Sequence, residues 1–266
     1  MDTVRVLFVG DLVGRAGRRV LLEHMDRLID HRRIDLTVVN VENAADGMGV
    51  TPEIAEDLLS SGVACMTSGN HIWDKQEIRE YIEHEPRLLR PINYPSDFPG
   101  SGAWIGETSA GVRVGVINVM GRIFMPPCND PFRSVREAAE AMRKKTPIIL
   151  VDAHAEATSE KMAIGWHLDG LVSAVLGTHT HVQTADERIL PGGTAYLTDV
   201  GMTGPYDSVI GMEKEAAIAR FIHSVGGRLS SAKGDPRLCA AIVEIERSGR
   251  ARSIERICLN GRGPGD

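Results

Sequence analysis

The segment Gly177-Thr178-His179-Thr180-His181 places two imidazoles two residues apart. At the end of an extended run such a pair points one way, so both rings can reach a single cation. Gly69-Asn70-His71 and Asp152-Ala153-His154 each close an apolar run upstream, and near the start Gly10-Asp11 and Glu42-Asn43 do the same. Five strand-like ends thus deliver Asp, Glu, Asn or His. The donors are carboxylate from Asp11 and Glu42, amide oxygen from Asn43 and Asn70, and imidazole from His154, His179 and His181. No thiolate takes part. This mix suits Mn²⁺, Fe²⁺ or Zn²⁺ in an open site better than a structural zinc, which favours cysteine. Seven donors exceed what one catalytic ion needs. Two ions roughly 3.5–4 Å apart, sharing a carboxylate and a water, would use them all.

Each residue alone also has a plainer role. Asp11 could cap the helix that follows. Glu42-Asn43 stands ahead of the turn-forming AADGMG and could belong to that turn. His71 and His154 could each be a hydrogen-bonded core histidine. The pair His179/His181 is different, because two histidines on one strand face are seldom both core residues. Taken together the set favours a site, since ligands of open α/β sheets bind beyond the carboxyl ends of the strands. Gly10, Gly14 and Gly17 miss the GxGxxG spacing of a dinucleotide fold.

The elements that must position these residues alternate. Val4 to Val9 reads as a buried strand, Ala16 to His31 as a helix, and Leu36 to Val41 as a second strand. Thr51-Pro52-Glu53 opens a helix with a cap, an early proline and an early acid. Val63 to Thr67 is a third strand, and Asp74 is the expected N-cap of a helix over Lys75 to His84. This alternation implies parallel pairing with right-handed crossovers. A Pro- and Gly-rich excursion from Glu85 to Gly111 keeps apolar anchors at Leu88, Leu89, Tyr94 and Trp104. Strand Val112 to Val119, a helix from Pro131 to Lys145, and strands Ile148 to Val151 and Val172 to Leu176 follow. After His181 the pattern is mostly strand: 188–190, 194–198, 240–245 and 253–257, with one helix over Lys214 to Phe221. His24, His31, His84 and His223 fall on helices without polar neighbours and read as solvated; His167 is ambiguous.

At 266 residues the chain can bury a large core, and 42% hydrophobic with 25% charged residues is ordinary for a globular protein. A single domain over 1–266 is expected, because no repeat or linker divides it. The net charge of −6 carries no strong nucleic-acid signal, although bound cations can reverse a local field. Cys65, Cys128, Cys239 and Cys258 lie far apart in the chain and form no CxxC pair, which argues against a disulfide framework or zinc knuckle. The apolar run at the N-terminus contains Arg5 and does not read as a signal peptide, and no stretch is long enough for a membrane span. A cytoplasmic location without membrane partners is the expectation, and homo-oligomerisation stays open.

The order Asp…Gly-Asn-His…His…Gly-x-His-x-His resembles the calcineurin-like metallophosphoesterases. More closely, the chain resembles the YmdB-type bacterial phosphodiesterases, on GDLVGRAGR, VENAADGMG, TSGNHIWD, RLLRPINYP, VDAHAEATSEK, GTHTHVQTADERILP and TDVGMTGPYDSVIGM. These segments cover nearly the whole chain; the tail after about Gly226 matches least. Val13 stands where the wider superfamily has a histidine, and Glu42-Asn43 replaces its Gly-Asp. Both departures are shared by the YmdB-type subgroup.

The resemblance implies an α/β fold of two stacked mixed β-sheets flanked by helices, a four-layer αββα sandwich. It implies that Asp11, Glu42, Asn43 and His181 hold one ion and that Glu42, Asn70, His154 and His179 hold the other. Iron, manganese or both are expected there, with zinc as a further candidate. His71 stays off the metals and acts as general acid, while a hydroxide between the ions attacks phosphorus. The implied substrates are small phosphodiesters, notably 2',3'-cyclic nucleotides. The loop Thr203 to Tyr206 and the excursion Arg87 to Tyr94 could line the pocket or simply cover the core. Two competing readings remain. A metal-dependent amidohydrolase also uses an HxH pair, though on an early strand. A regulatory protein acting through protein or RNA contacts would keep the site as a relic or for a secondary purpose.

Overall fold

The computed structural model describes residues 3–223 and 229–261. Its first part alternates: β1 (Thr3–Val9), α1 (Gly14–Arg32), β2 (Leu36–Asn40), α2 (Pro52–Ser60), β3 (Cys65–Thr67) and α3 (Ile78–His84). The middle comprises β4 (Ala103–Glu107), β5 (Arg113–Met120), α4 (Pro131–Arg143), β6 (Ile149–His154), α5 (Thr158–Leu168) and β7 (Ala174–Thr178). Last come β8 (Arg188–Ile189), β9 (Ala195–Leu197), β10 (Gly204–Pro205), α6 (Lys214–His223), β11 (Pro236–Glu246) and β12 (Ala251–Asn260).

Two mixed sheets result. In the first, β1, β2 and β3 pair in parallel, β11 runs antiparallel to β1 with Thr3 opposite Glu246, and β12 and β10 both pair with β11. In the second, β5, β6, β7 and β9 are parallel, and antiparallel β4 and β8 close the two edges. The period-two alternation of β1 decides how they stack. Val4, Val6 and Phe8 face a core shared with Val114, Val116, Leu150 and Leu176 of the second sheet, whereas Leu7 and Val9 face Leu21, Met25 and Leu58 of the helices. A third cluster joins Val119, Val151 and Val175 to Val135 and Ala139 of α4 and Ile164 of α5. Helices, sheet, sheet and helices therefore form four layers, the expected αββα sandwich.

Local signals hold at several ends. Thr51 Oγ1 accepts the Ile54 N–H at 3.4 Å at the start of α2, and the Asp130 carboxylate accepts from Phe132 N and Arg133 N at the start of α4. Others differ from expectation. α3 begins at Ile78 after Glu77, so Asp74 is not its cap. α5 went unanticipated because its apolar pattern is mixed: it buries Glu160 and Lys161 alongside Ile164 and Leu168, while Met162 and Trp166 are exposed. The excursion is not merely superficial. Leu89 N donates to Met66 O beside β3, and the segment then supplies β4.

Candidate metal centre

Parallel strands of both sheets end at one place. β1 runs into Gly10-Asp11, and β2 into Glu42-Asn43. β3 leads to Ser68-Gly69-Asn70-His71, β6 ends on His154, and β7 delivers His179 and His181 just past Thr178. Two groups of donors can each hold one cation: Glu42, His154 and His179, and Asp11, Glu42 and His181, with the ligand atoms of each within 4.8 Å of one another. Glu42 belongs to both. Its Oε2 lies 3.1 Å from His154 Nε2, and its Oε1 lies 3.9 Å from His179 Nδ1. A Cβ at position 69 would overlap both His154 Nε2 and Glu42 Oε2, so the glycine of Gly-Asn-His is a steric requirement.

The two asparagines differ. Asn70 Oδ1 points at His154 Nε2 at 3.2 Å, oxygen towards the centre. Asn43 instead presents its amide nitrogen to Glu42 Oε1 and His181 Nε2, at 3.2 and 3.1 Å. Coordination through its oxygen requires a half-turn of the amide, an orientation set by the surrounding hydrogen bonds.

The histidines are held from behind. His181 Nδ1 lies 2.8 Å from Ile210 O, so it carries the proton and leaves the Nε2 lone pair facing the centre. His154 Nδ1 meets Thr178 Oγ1 at 2.8 Å; that hydroxyl donates to Asp152, whose other oxygen accepts from Asn40 Nδ2. His179 and His181 both adopt left-handed backbone, φ 94° and 65°, which costs energy for a residue with a Cβ. Asp199 pins that loop by accepting from Thr180 N and Oγ1, and is itself paired with Lys161 Nζ at 2.6 Å. Both partners are fully buried. The buried Lys161 of α5 therefore serves the histidine loop.

The charges fit a cation. Asp11, Glu42, Asp152 and Asp199 are all buried here, with Lys161 as their buried cation, and Asp11 Oδ1 has no hydrogen-bond partner. Uncompensated buried anions are costly unless protonated or bound to a metal. Burial, with Asp199 and Glu42 nearby, pushes Asp11 up to about 8. Burial raises Asp152 to about 7 and lowers His154 to about 4. Glu42 is driven upward by burial, but the charge and hydrogen bond of His154 outweigh this and hold it well below its ordinary value. His179 is raised because hydrogen bonding and charge from Glu42 overcome its desolvation. Burial lowers His181. His154 and His181, lowered, thus face the carboxylates as neutral imidazoles ready to bind a divalent ion, whereas His179 must give up its proton to do so.

His71 sits at the mouth of a cleft of about 500 Å³ shared with Glu42, Asn43, Glu156, His179 and His181. Its Nδ1 is 2.7 Å from Asp74 Oδ2, and its backbone N–H donates to Glu42. Asp74, expected as a helix cap, instead orients this ring. Glu156 likewise meets His179 Nε2 at 3.1 Å. Asp74 follows its histidine at i+3, a spacing the sequence displays, whereas Glu156, ahead of α5 in the chain, meets His179 beyond β7, which no local spacing signals. The remaining cleft walls include Met48, Ile210, Met212 and Arg220. The excursion covers the core instead, with Tyr94 stacked on Phe98 and edge-on to Trp73. Tyr206 lines a neighbouring cavity behind His181.

The model of the YmdB-like protein family matches residues 7–257. The chain belongs to the YmdB-like family. It is 47% identical over 258 residues to a protein of Bacillus subtilis (strain 168) named 2',3'-cyclic-nucleotide 2'-phosphodiesterase, covering 97% of each. Among solved structures it resembles a hypothetical protein from Thermus thermophilus (TM-score 0.91, 42% identity, 97% of this chain and 100% of that one). It also resembles a protein of Mycoplasma pneumoniae described as a novel phosphatase (TM-score 0.92, 32% identity, 99% of this chain and 96% of that one). Within the family's fold, the donors quoted from the sequence all lie at one end of the sandwich. No helix among the described residues is long and apolar enough to cross a membrane.

Proposed function

We propose that the chain is a hydrolase of small phosphodiesters, 2',3'-cyclic nucleotides among them, built around two divalent cations. The observation that carries this reading is the sharing of the Glu42 carboxylate between two three-residue donor groups. Asp11, Glu42, Asn43 and His181 would hold one ion, and Glu42, Asn70, His154 and His179 the second. Such a pair supplies Lewis-acid polarisation of phosphoryl oxygens and hydroxide near neutral pH.

The chain's own residues do the rest. Asp74 engages Nδ1 of His71, leaving Nε2 to give a proton to the departing ribose oxygen, a contribution of roughly 10²–10⁴-fold. Ile210 O and Thr178 Oγ1 keep His181 and His154 turned inward, so these two rings need no reorientation when the ions enter, whereas the Asn43 amide must turn. The oxygen and nitrogen donor set favours iron and manganese, with zinc as a third candidate. One domain in the cytoplasm accords with four free cysteines and a site drawn from both sheets.

Purified protein reconstituted with Mn²⁺ or Fe²⁺ should hydrolyse 2',3'-cyclic AMP to the 3'-nucleotide and should cleave an aryl phosphodiester. Two bound ions per chain by elemental analysis should accompany activity. Hydrolysis of an amide substrate with no phosphodiester cleavage would overturn the reading.

A further inference from the structure

Cys239 and Cys258, nineteen residues apart, are direct register partners on antiparallel β11 and β12, and their sulfurs lie 3.4 Å apart. Directly opposed residues of antiparallel strands have Cα separations inside the range a disulfide spans. We propose that Cys239 and Cys258 form a reversible dithiol/disulfide site that reacts with small organic disulfides such as oxidised glutathione.

The two thiols are differentiated. Cys258 is exposed, whereas Cys239 is 1% exposed and hydrogen-bonded to the Tyr206 hydroxyl at 2.9 Å. Burial raises the Cys239 thiol to about 12, which disfavours it as first attacker. The order follows. The Cys258 thiolate attacks one sulfur of the incoming disulfide, breaking its S–S bond and releasing one small thiolate. Cys239 then loses its proton and attacks Cys258 Sγ, closing the protein disulfide and expelling the second small thiol. Two protein thiols are oxidised and one small disulfide is reduced to two thiols.

The pair lines a cavity of about 310 Å³ whose other walls include His181, Met202, Tyr206 and Ile210. Ile210 O holds His181 Nδ1, and Cys239 N and O both engage Thr203 Oγ1, whose backbone bonds to Asp11 and Val13. Cys65 and Cys128 have no such partner thiol among the described residues, and Cys65 is fully buried.

Intact mass spectrometry and peptide mapping of the metal-loaded protein, titrated with oxidised glutathione, test this. The expected product has lost two hydrogens, maps to a Cys239–Cys258 cross-link, and reverts with dithiothreitol. Cys239→Ala should trap one glutathionyl group on Cys258, and Cys258→Ser should abolish the reaction while leaving metal content and phosphodiesterase activity unchanged. Overturning results would be a stable glutathionyl adduct on Cys258 in the unsubstituted chain, equal labelling of Cys128, or cross-linking that survives in Cys258→Ser.

Discussion

The two sheets contribute to the centre in different ways. The first supplies oxygen donors, Asp11, Glu42, Asn43 and Asn70, directly beyond β1, β2 and β3. The second supplies the imidazoles, His154 at the end of β6 and His179 and His181 beyond β7. The oxygen side relies on short side chains and tight turns, with a glycine clearing space at position 69. The imidazole side relies on a buried scaffold, in which left-handed backbone at two histidines is held by Asp199 and Lys161 and a ring is turned by Thr178 and Asp152. Carboxylates bind a cation from many angles, but an imidazole offers one lone pair in its plane, so its ring must be aimed.

The comparison can be broken first at Glu42, where the two sides meet. Glu42→Gln should remove both ions, a loss exceeding the about 10–100-fold in metal affinity that follows removal of an outer-shell partner. Full retention of two ions by elemental analysis would show that the sides bind independently. His71→Ala lies outside both donor sets and should keep its metal while turnover falls about 10²–10⁴-fold. Unchanged turnover there would remove its assignment.

Lys161→Met tests the scaffold of the imidazole side. It leaves the Asp199 carboxylate buried and unpaired, and denaturant unfolding should show a loss of about 3–5 kcal/mol, with weaker metal binding. An unchanged midpoint would mean that the histidine loop needs no such anchor. Thr178→Val removes the hydroxyl that aims His154 and donates to Asp152, and isothermal titration should find metal affinity about 10–100-fold lower.

Proton linkage in metal-free protein should separate the sides most gently. Asp11 is raised to about 8, so the folded state binds its proton more tightly, and stability falls as pH rises from about 4 to 8. His154 is lowered to about 4, so the unfolded state binds its proton more tightly, and stability rises with pH between about 4 and 6.5. Above pH 6.5 the His154 contribution is constant, and what remains is the combined decline of Asp11, of Asp152, raised to about 7, and of His179, which is also raised. Chemical denaturation across pH 6.5–8 should show that decline without metal and its disappearance with metal. A flat apo profile would mean that Asp11 is already compensated.

Much of the site could be read from the chain because ligand residues sit at abrupt ends of apolar runs. Gly-Asn-His and His-x-His are recognisable from residue type and spacing alone. Asp74 was read as a cap because Asp before a helical run ordinarily is one, yet its carboxylate turns to His71. Glu156, Lys161 and Asp199 escaped notice, and Asp152 was quoted without a role, because a charged residue in sequence reads as solvated unless its partner is known. α5 was overlooked for the same reason, since its inward face carries the charges. The cysteines show the converse: nineteen residues of separation conceal a cross-strand pair.

The order of residues by itself determined the family, through motifs whose resemblance implied the layered architecture, and also the alternation of strands and helices and the inventory of oxygen and nitrogen donors, because motif spacing, periodicity and residue chemistry are all local. Only the tertiary structure decided which nitrogen of each histidine faces inward, which way Asn43 turns, and which buried acid faces which buried base. Those are long-range pairings between strand ends, and a hydrogen bond spanning more than a hundred residues leaves no mark on the local pattern of either partner.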